Sequence, residues 1–313
     1  MSDLGEFGLI ARIIARTKAN TVTLLGPGDD AAVVAAGDGR VVATTDLLVE
    51  GRHFRRDWST PYDVGRKAAA QNMADVAAMG AVPTALLVGF GAPPELAAFW
   101  AERLVDGLVD EAATIGAAVV GGDVVRAESI VVAVTALGDL QGRTPVTRSG
   151  ARPGDVVALC GRLGWAEAGV AALRHGFRTP RAVVEAHRRP QPPYQAGPHA
   201  ADAGATAMID VSDGLLADVG HIASASKVRI DLSREALPVD PPVAEVGAAL
   251  GIDPLRWVLT GGEDHALVAT FPPTTPLPSG WRPIGKVTAA ATDGEVLVDG
   301  DPYDGTGFDH FAG

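Results

Sequence analysis

A mixed α/β (α+β) protein of two domains is the fold class this sequence predicts, and three observations predict it. The chain has 313 residues, more than one core of ordinary size encloses. Its segments switch repeatedly between short β-branched apolar runs and longer stretches with helical spacing. A polar stretch bearing glycine and proline, TPVTRSGARPGD at 144–155, divides the pattern in two. The expected domains are therefore 1–143 and 144–313.

Residues 40–46 (RVVATTD) are apolar and β-branched and predict a strand. Residues 60–79 predict a helix. Thr60 suits the cap, Pro61 the first helical position and Asp63 the acid of a capping box, and Gly80 ends the run. A strand at 85–90 precedes a long amphipathic helix at 95–115. The short strand 117–120 runs into Gly121-Gly122-Asp123, and 130–137 forms another strand. Beyond the divide, 156–160 (VVALC) predicts a strand and 164–175 a helix. Residues 177–200, rich in Pro, Arg and His, read as a loop or surface connection. A strand at 207–210 is followed by a helix from Asp213. The segments 257–259 and 266–271 flank Gly261-Gly262-Glu263-Asp264, and 299–311 reads as irregular.

Composition removes several function classes. The formal net charge is −12 and no basic stripe occurs, so nucleic acid and anionic membrane are poor partners. No apolar run approaches the about 18 residues that span a bilayer. The N-terminal MSDLGEFGLIARIIART lacks the pattern of a signal peptide. With Cys160 alone, no intrachain disulfide forms, and the cytoplasm is the expected compartment. Cys160 itself is expected as a buried small hydrophobe. His175, His187 and His199 are expected in surface polar roles and His221 in a structural one. The five tryptophans are expected to pack in the core or at its edge. DGEVLVDGDPYDG superficially resembles a calcium loop, but its glycine and final acid fall at the wrong offsets.

The informative feature is where the acids fall. They recur at strand ends or in glycine turns: Asp29 and Asp30 in GPGDDAAVV, Asp46 in ATTD, Asp123 in VGGD, Asp210 and Asp213 in IDVSDG, Glu263 and Asp264 in GGED. Ligand-binding groups of α/β proteins cluster at such positions, and glycine beside an acid lets a ligand approach. Lys67, Gln71 and Asp75 add a polar stripe at i, i+4 and i+8 with Asn72 beside it. A solvated helix face fits this spacing, but the flanking AAA and VAAM favour burial. Converging carboxylates need a counter-charge. Lysine occurs only at Lys18, Lys67, Lys227 and Lys286, and no phosphate-binding loop with its lysine is present. Magnesium suits carboxylates that share a site with substrate phosphates, and Thr44 and Thr45 beside Asp46 add neutral oxygens. An anionic polyphosphate reaches such a site with metal ions between.

The set GPGDDAAV, TTDLLVEGRHF, KAAAQNMADVAAMGA, GGDVVR, TRSGARPGD, IDVSDGLLADVGHIA and GGEDHAL resembles the thiamine-monophosphate kinase family. Order and spacing match from Gly5 to Phe311, nearly the whole chain. The resemblance implies the aminoimidazole-ribonucleotide-synthetase-like fold. It implies an N-terminal ATP- and Mg²⁺-binding domain that pairs in a homodimer, and a C-terminal α/β domain that completes the active site. It also implies transfer of the ATP γ-phosphoryl group to thiamine monophosphate with several Mg²⁺ ions. Matched by motif, Asp30, Thr44, Thr45, Asp46, Asp75, Asp123, Asp210 and Asp213 are the expected metal residues. Gly122, Asp123, Arg148 and Ser212 are expected at ATP, and His53, Glu263 and Phe308 at the thiamine phosphate. No side chain is expected to act as general base or nucleophile, because the phosphate nucleophile is already largely ionised at neutral pH. Two alternatives stand beside this. One is another enzyme of the same superfamily, against which the absence of an N-terminal or C-terminal cysteine counts. The other is a nucleotide- or metal-binding protein without turnover.

Overall fold

A computed structural model describes residues 12–26, 32–289 and 294–305. The chain forms two compact units, Met1–Val76 with Ala81–Gly142, and Ala77–Gly80 with Arg143–Gly313. Among the described residues no helix is long and apolar enough to cross a membrane.

In the first unit, β1 (Thr23–Leu25) and β2 (Val33–Val34) form a small antiparallel pair. A four-stranded sheet follows, built from β3 (Val42–Val49), β4 (Val82–Ala92), β5 (Ala118–Arg126) and β6 (Val131–Asp139) in the order β3-β6-β4-β5. Only β4 and β5 run parallel. Helices α1 (Pro61–Ala78) and α2 (Ala98–Ala113) belong with this sheet. The expected capping box of α1 is present. Asp63 accepts the Thr60 N–H at 2.9 Å, and the Asp63 N–H donates to Thr60 Oγ1 at 3.2 Å. Two strands differ from the sequence reading. β3 runs on to Val49, and β5 continues straight through Gly121-Gly122-Asp123 to Arg126. Asp46 is thus inside its strand and not at its end, and Asp123 is a strand residue and not a turn residue. In both cases the apolar residues beyond the acid keep the ladder going.

The second unit carries a six-stranded sheet in the order β12-β9-β11-β7-β10-β8. Its strands are β7 (Val156–Cys160), β8 (Ala207–Asp210), β9 (Val228–Leu232), β10 (Leu267–Phe271), β11 (Arg282–Ala289) and β12 (Glu295–Val298). Its helices are α3 (Trp165–Arg174), α4 (Arg181–Arg188), α5 (Ala196–Asp202), α6 (Leu215–Ser226), α7 (Pro241–Leu250) and α8 (Pro254–Thr260). Leu159, Ile209, Leu215, Ile230 and Val268 lie in its apolar core. Residues 177–200 are not the expected loop, because α4 and α5 occupy much of them. In α4 the arginines hide a one-sided stripe of Val183, Val184, Ala186 and His187, all buried. His187 is consequently not the expected surface residue, whereas His175, His199 and His221 are exposed. Cys160 is buried, and Trp257 and Trp281 pack inside, as expected.

Helices α1 and α2 meet backbone to backbone. A methyl group on Gly65 would lie 2.0 Å from the Leu104 carbonyl oxygen, and one on Gly107 would lie 2.2 Å from that of Tyr62. Arg66, one residue on, is paired with the buried Glu111. Gly107→Ala should therefore destabilise the protein by about 1–3 kcal/mol through overpacking, despite alanine's better helix propensity. Gly220→Ala is the contrast. It sits within α6 with nothing within 4 Å of the added methyl, so stability should rise by about 0.5–1 kcal/mol. Thermal melts of the two variants check the opposite signs.

Candidate active site

In the first unit, the pleat of β3 sorts the expected metal residues. Thr44 and Asp46 share one face, because strand side chains alternate. Thr44 Oγ1 donates to Asp75 Oδ2 at 2.8 Å, which joins β3 to α1. β3 is an edge strand, and its Asp46 N–H is satisfied by Asn72 Oδ1 at 2.9 Å, with Asn72 Nδ2 donating to Ala68 O at 2.9 Å. The stripe of α1 is therefore not a solvated face: Asn72 and Lys67 are buried. The Thr45 hydroxyl points to the other face, where it donates to Val134 O at 3.0 Å and accepts from Thr135 Oγ1 at 3.2 Å. A strand period of two points the Thr44 and Thr45 side chains to opposite faces.

His53 follows β3. Its Nδ1 accepts the Val49 N–H at 3.0 Å, so Nε2 carries the proton of the neutral ring, and Lys67 Nζ donates to the His53 carbonyl at 3.3 Å. Gly122 and Asp123 lie on β5, paired with Val88 and Gly89 of β4. A methyl on Gly122 would come within 2.1 Å of Val88 O, so packing alone demands glycine there. Both residues border a cavity of about 890 Å³. Asp30, with its neighbour Asp29, and Phe308 lie outside the described residues.

In the second unit, the SDG turn and the GGED loop are pressed together. The Glu263 N–H donates to Ser212 O at 2.8 Å, and a methyl on Gly262 would lie 2.4 Å from that oxygen. Glu263 (φ 66°) and His265 (φ 53°) both adopt the left-handed region that favours glycine. Asp210 ends β8, and its Oδ2 lies 3.0 Å from His265 Nδ1, both residues being buried. Glu263 Oε2 lies 3.4 Å from Nδ1 of buried His187. Nearby Glu167 is shifted upward, first by burial and then by the Glu263 charge, against the pull of Arg174. Asp213 starts the turn into α6, where buried Asp218 accepts the N–H groups of Asp213 and Gly214, each at 3.0 Å. Burial, and then the charge of Asp210, push the Asp218 carboxyl up to about 7. Arg148 is exposed, with its carbonyl accepting from Ser226 Oγ at 2.9 Å.

Sequence reasoning missed three residues here: His187, Asp218 and His265. Asp218 and His265 stood inside quoted motifs, but only the folded turns show which atoms they reach. Asp264 was noted as an acid without a role. Its Oδ1 accepts the Ala166 N–H at 2.9 Å at the start of α3. The donors expected to hold Mg²⁺ are carboxylate and hydroxyl oxygens, which fit that hard cation. Among the described residues no three of His, Cys, Asp and Glu gather as a ready-made metal cluster. Magnesium does not require one, since it is commonly held by one or two carboxylates with substrate phosphates and water.

Burial pushes the Asp264 carboxyl up to about 7, opposed by the N–H groups of Ala166 and Gly164 and by His265 and Arg162. An ordinary unfolded aspartate ionises near pH 4, so the folded state holds an extra proton between about pH 4 and 7. Stability attributable to Asp264 therefore falls as pH rises through that window and is flat above it. Asp264→Asn keeps an acceptor for Ala166 and removes the charge. Between pH 5.5 and 8.5 the wild type should lose about 2 kcal/mol relative to this variant. Urea midpoints of both proteins at the two pH values check it, and parallel behaviour would mean an aspartate ionised throughout.

Residues 28–140 match the family model described as AIR synthase related protein, N-terminal domain. The chain is 56% identical over 306 residues to the thiamine-monophosphate kinase of Mycobacterium tuberculosis (strain H37Rv), covering 97% of this chain and 91% of that protein. It is 42% identical over 307 residues to the thiamine-monophosphate kinase of Corynebacterium glutamicum, covering 96% and 91%. A solved structure of AaThiL complexed with AMPPCP and TMP is similar with a TM-score of 0.81 and 33% identity, over 99% of this chain and 98% of that one. With the acidic strand ends, the GGED loop and relatives at this identity over nearly its whole length, the chain belongs to the thiamine-monophosphate kinase family.

Proposed function

We infer that this chain catalyses ATP-dependent phosphorylation of thiamine monophosphate to thiamine diphosphate. One observation carries the reading: hard-oxygen groups share one face of β3, with Thr44 on Asp75 beside Asp46, in a chain so similar to thiamine-monophosphate kinases. A relative complexed with AMPPCP and TMP supports the same pair of substrates here.

A phosphate oxygen of thiamine monophosphate attacks the γ-phosphorus of ATP, the bond to the β-phosphate oxygen breaks, and ADP leaves. The attacking phosphate has a second pKa of about 6, so it needs no general base at neutral pH. The protein's task is positioning and charge balance. Bound Mg²⁺ ions would neutralise the phosphate oxygens and the charge that develops on the leaving group. Asp30, Thr44, Thr45, Asp46, Asp75 and Asp123 of the first unit would hold some of them, and Asp210 and Asp213 of the second would hold others. Gly122, Asp123, Arg148 and Ser212 would contact ATP. The cavity bordered by Gly122 and Asp123 has ample volume for a small ligand, and the exposed Arg148 offers a positive charge. His53, Glu263 and Phe308 would meet the thiamine phosphate. In this reading residues 1–143 form the domain that binds ATP and Mg²⁺ and pairs in a homodimer, and 144–313 form the second catalytic domain. Exposed Leu47, on β3 of the first sheet, supports pairing of that domain. A cytoplasmic location accords with a single buried free cysteine.

The test is thiamine diphosphate formation from ATP and thiamine monophosphate, with and without Mg²⁺, by the wild type, Asp30→Asn and Asp75→Asn. Mg²⁺-dependent product should fall about 100-fold or more in each variant, the loss typical of removing one group that balances transition-state charge. Asp75→Asn keeps an acceptor for Thr44, so its fold should survive. A folded wild type that binds ATP and yields no product would overturn the kinase reading in favour of a binding protein without turnover.

A further inference from the structure

We propose that His265 is a positioning residue for Asp210, holding one carboxylate oxygen so that the group meets its cation in a single orientation. This rests on the reading above, in which Asp210 holds Mg²⁺. Three observations meet at this pair. First, β8 and β10 run antiparallel with Asp210 opposite Leu267. Just before β10, the His265 N–H donates to Val211 O at 2.9 Å and the Val211 N–H to Ala266 O at 2.8 Å. The backbone of His265 is thereby clamped beside the end of β8. Second, His265 is held at φ 53° although it is not glycine. That conformation costs about 1 kcal/mol for such a residue and persists where surrounding structure enforces it. Third, the result of the turn is a contact of 3.0 Å between Nδ1 and Asp210 Oδ2, with both residues more than nine-tenths buried.

A carboxylate only accepts, so Nδ1 carries the proton and the tautomer is set. The imidazole is then a donor to the carboxylate through this nitrogen and not a rival ligand through it. A free carboxylate swings about its terminal torsion, which is broad and roughly two-fold. Anchoring one oxygen arrests that motion and satisfies part of a buried charge. Hydrogen-bond partners of metal-holding groups have this effect generally, and their loss typically weakens metal affinity or activity about 10–100-fold.

The test is binding of Mn²⁺ with AMPPCP to the full chain, by calorimetry, for the wild type, His265→Gly, His265→Asn, Asp210→Asn and the double variant D210N/H265G. Glycine tolerates the positive φ and removes the donor. Asparagine also tolerates it, and its amide nitrogen reproduces the position of Nδ1. H265G should bind about 10–100-fold more weakly, and H265N should stay within about threefold of the wild type. D210N/H265G should be no worse than D210N, because both changes act through one carboxylate. In turnover, the Mg²⁺ concentration giving half-maximal rate should rise in H265G while KM for thiamine monophosphate stays unchanged. Wild-type affinity in H265G, additive losses in the double variant, or wild-type affinity in folded D210N would each overturn the proposal. If H265G does not fold, H265Q replaces it with the same expectation, its amide lying one bond too far out to mimic Nδ1. A wild type that binds Mn²⁺ and AMPPCP but forms no thiamine diphosphate would sink the kinase reading. The affinity comparison would still decide the role of His265.

Discussion

Repulsion among carboxylates is the constraint on which the rest of this structure depends. Two unit charges 4 Å apart repel by about 4 kcal/mol at the effective dielectric of a protein near its surface. The chain carries a formal charge of −12, and some of its acids feel one another, Asp210 and Asp213 acting on Asp218 and Glu263 on Glu167. The folded protein answers locally. Asp75 receives a hydroxyl from Thr44. Asp210 receives an imidazole from His265. Asp218 receives two backbone N–H groups, and burial beside Asp210 still pushes it up to about 7, so it gives up its charge near neutrality. Asp264 does the same at the start of α3. Hydrogen bonds to the charged form lower a carboxyl's pKa, and burial raises it; each acid here is a different balance of those two effects.

Those donors reach their acids only because backbones come unusually close. Glu263 N–H meets Ser212 O across a gap that admits no methyl group on Gly262. Side chains at 263 and 265 then leave the loop from the left-handed region, Glu263 toward His187 and His265 toward Asp210. The first unit uses the same device at a larger scale. Gly65 and Gly107 let α1 and α2 touch through their backbones, and α1 carries Asn72 to the edge of β3 and Asp75 to Thr44. Small residues are thus placed to deliver polar ones, and the chemistry of each site is inseparable from the packing beneath it.

Much of the fold was legible because its signals are local. The Thr60–Asp63 box and Gly80 bound α1 within a residue, and VVALC and AMID are the strands their apolar character indicates. What was illegible depended on partners far away in sequence. Nothing near Asp123 reveals that β5 runs on past it; pairing with β4 does that. Nothing in PRAVVEAHRRP outweighs its arginines, yet His187 is buried against Glu263. The site shows the same division. Acid positions stand out in sequence, since glycine turns and strand ends mark them. The sorting of Thr44 from Thr45 needed the pleat register, and the pairing of His265 with Asp210 needed the registry of β8 with β10. Residue types announce a charge; only three-dimensional structure names its partner.

The choice of neutral partners has a consequence for binding. An ammonium placed among these carboxylates would balance their charge permanently and compete with any divalent cation. A hydroxyl or an amide N–H fills a lone pair and leaves the charge in place. Lysine is scarce in the sequence, occurring only at Lys18, Lys67, Lys227 and Lys286. A set of acids held this way is stable enough to fold and is still short of positive charge. Any cation that binds the folded state alone then stabilises it in proportion to the logarithm of its concentration over its dissociation constant. The same deficit of positive charge is therefore a source of affinity for a cation. It falls to the neutral donors to decide which carboxylate oxygens remain open when the cation arrives.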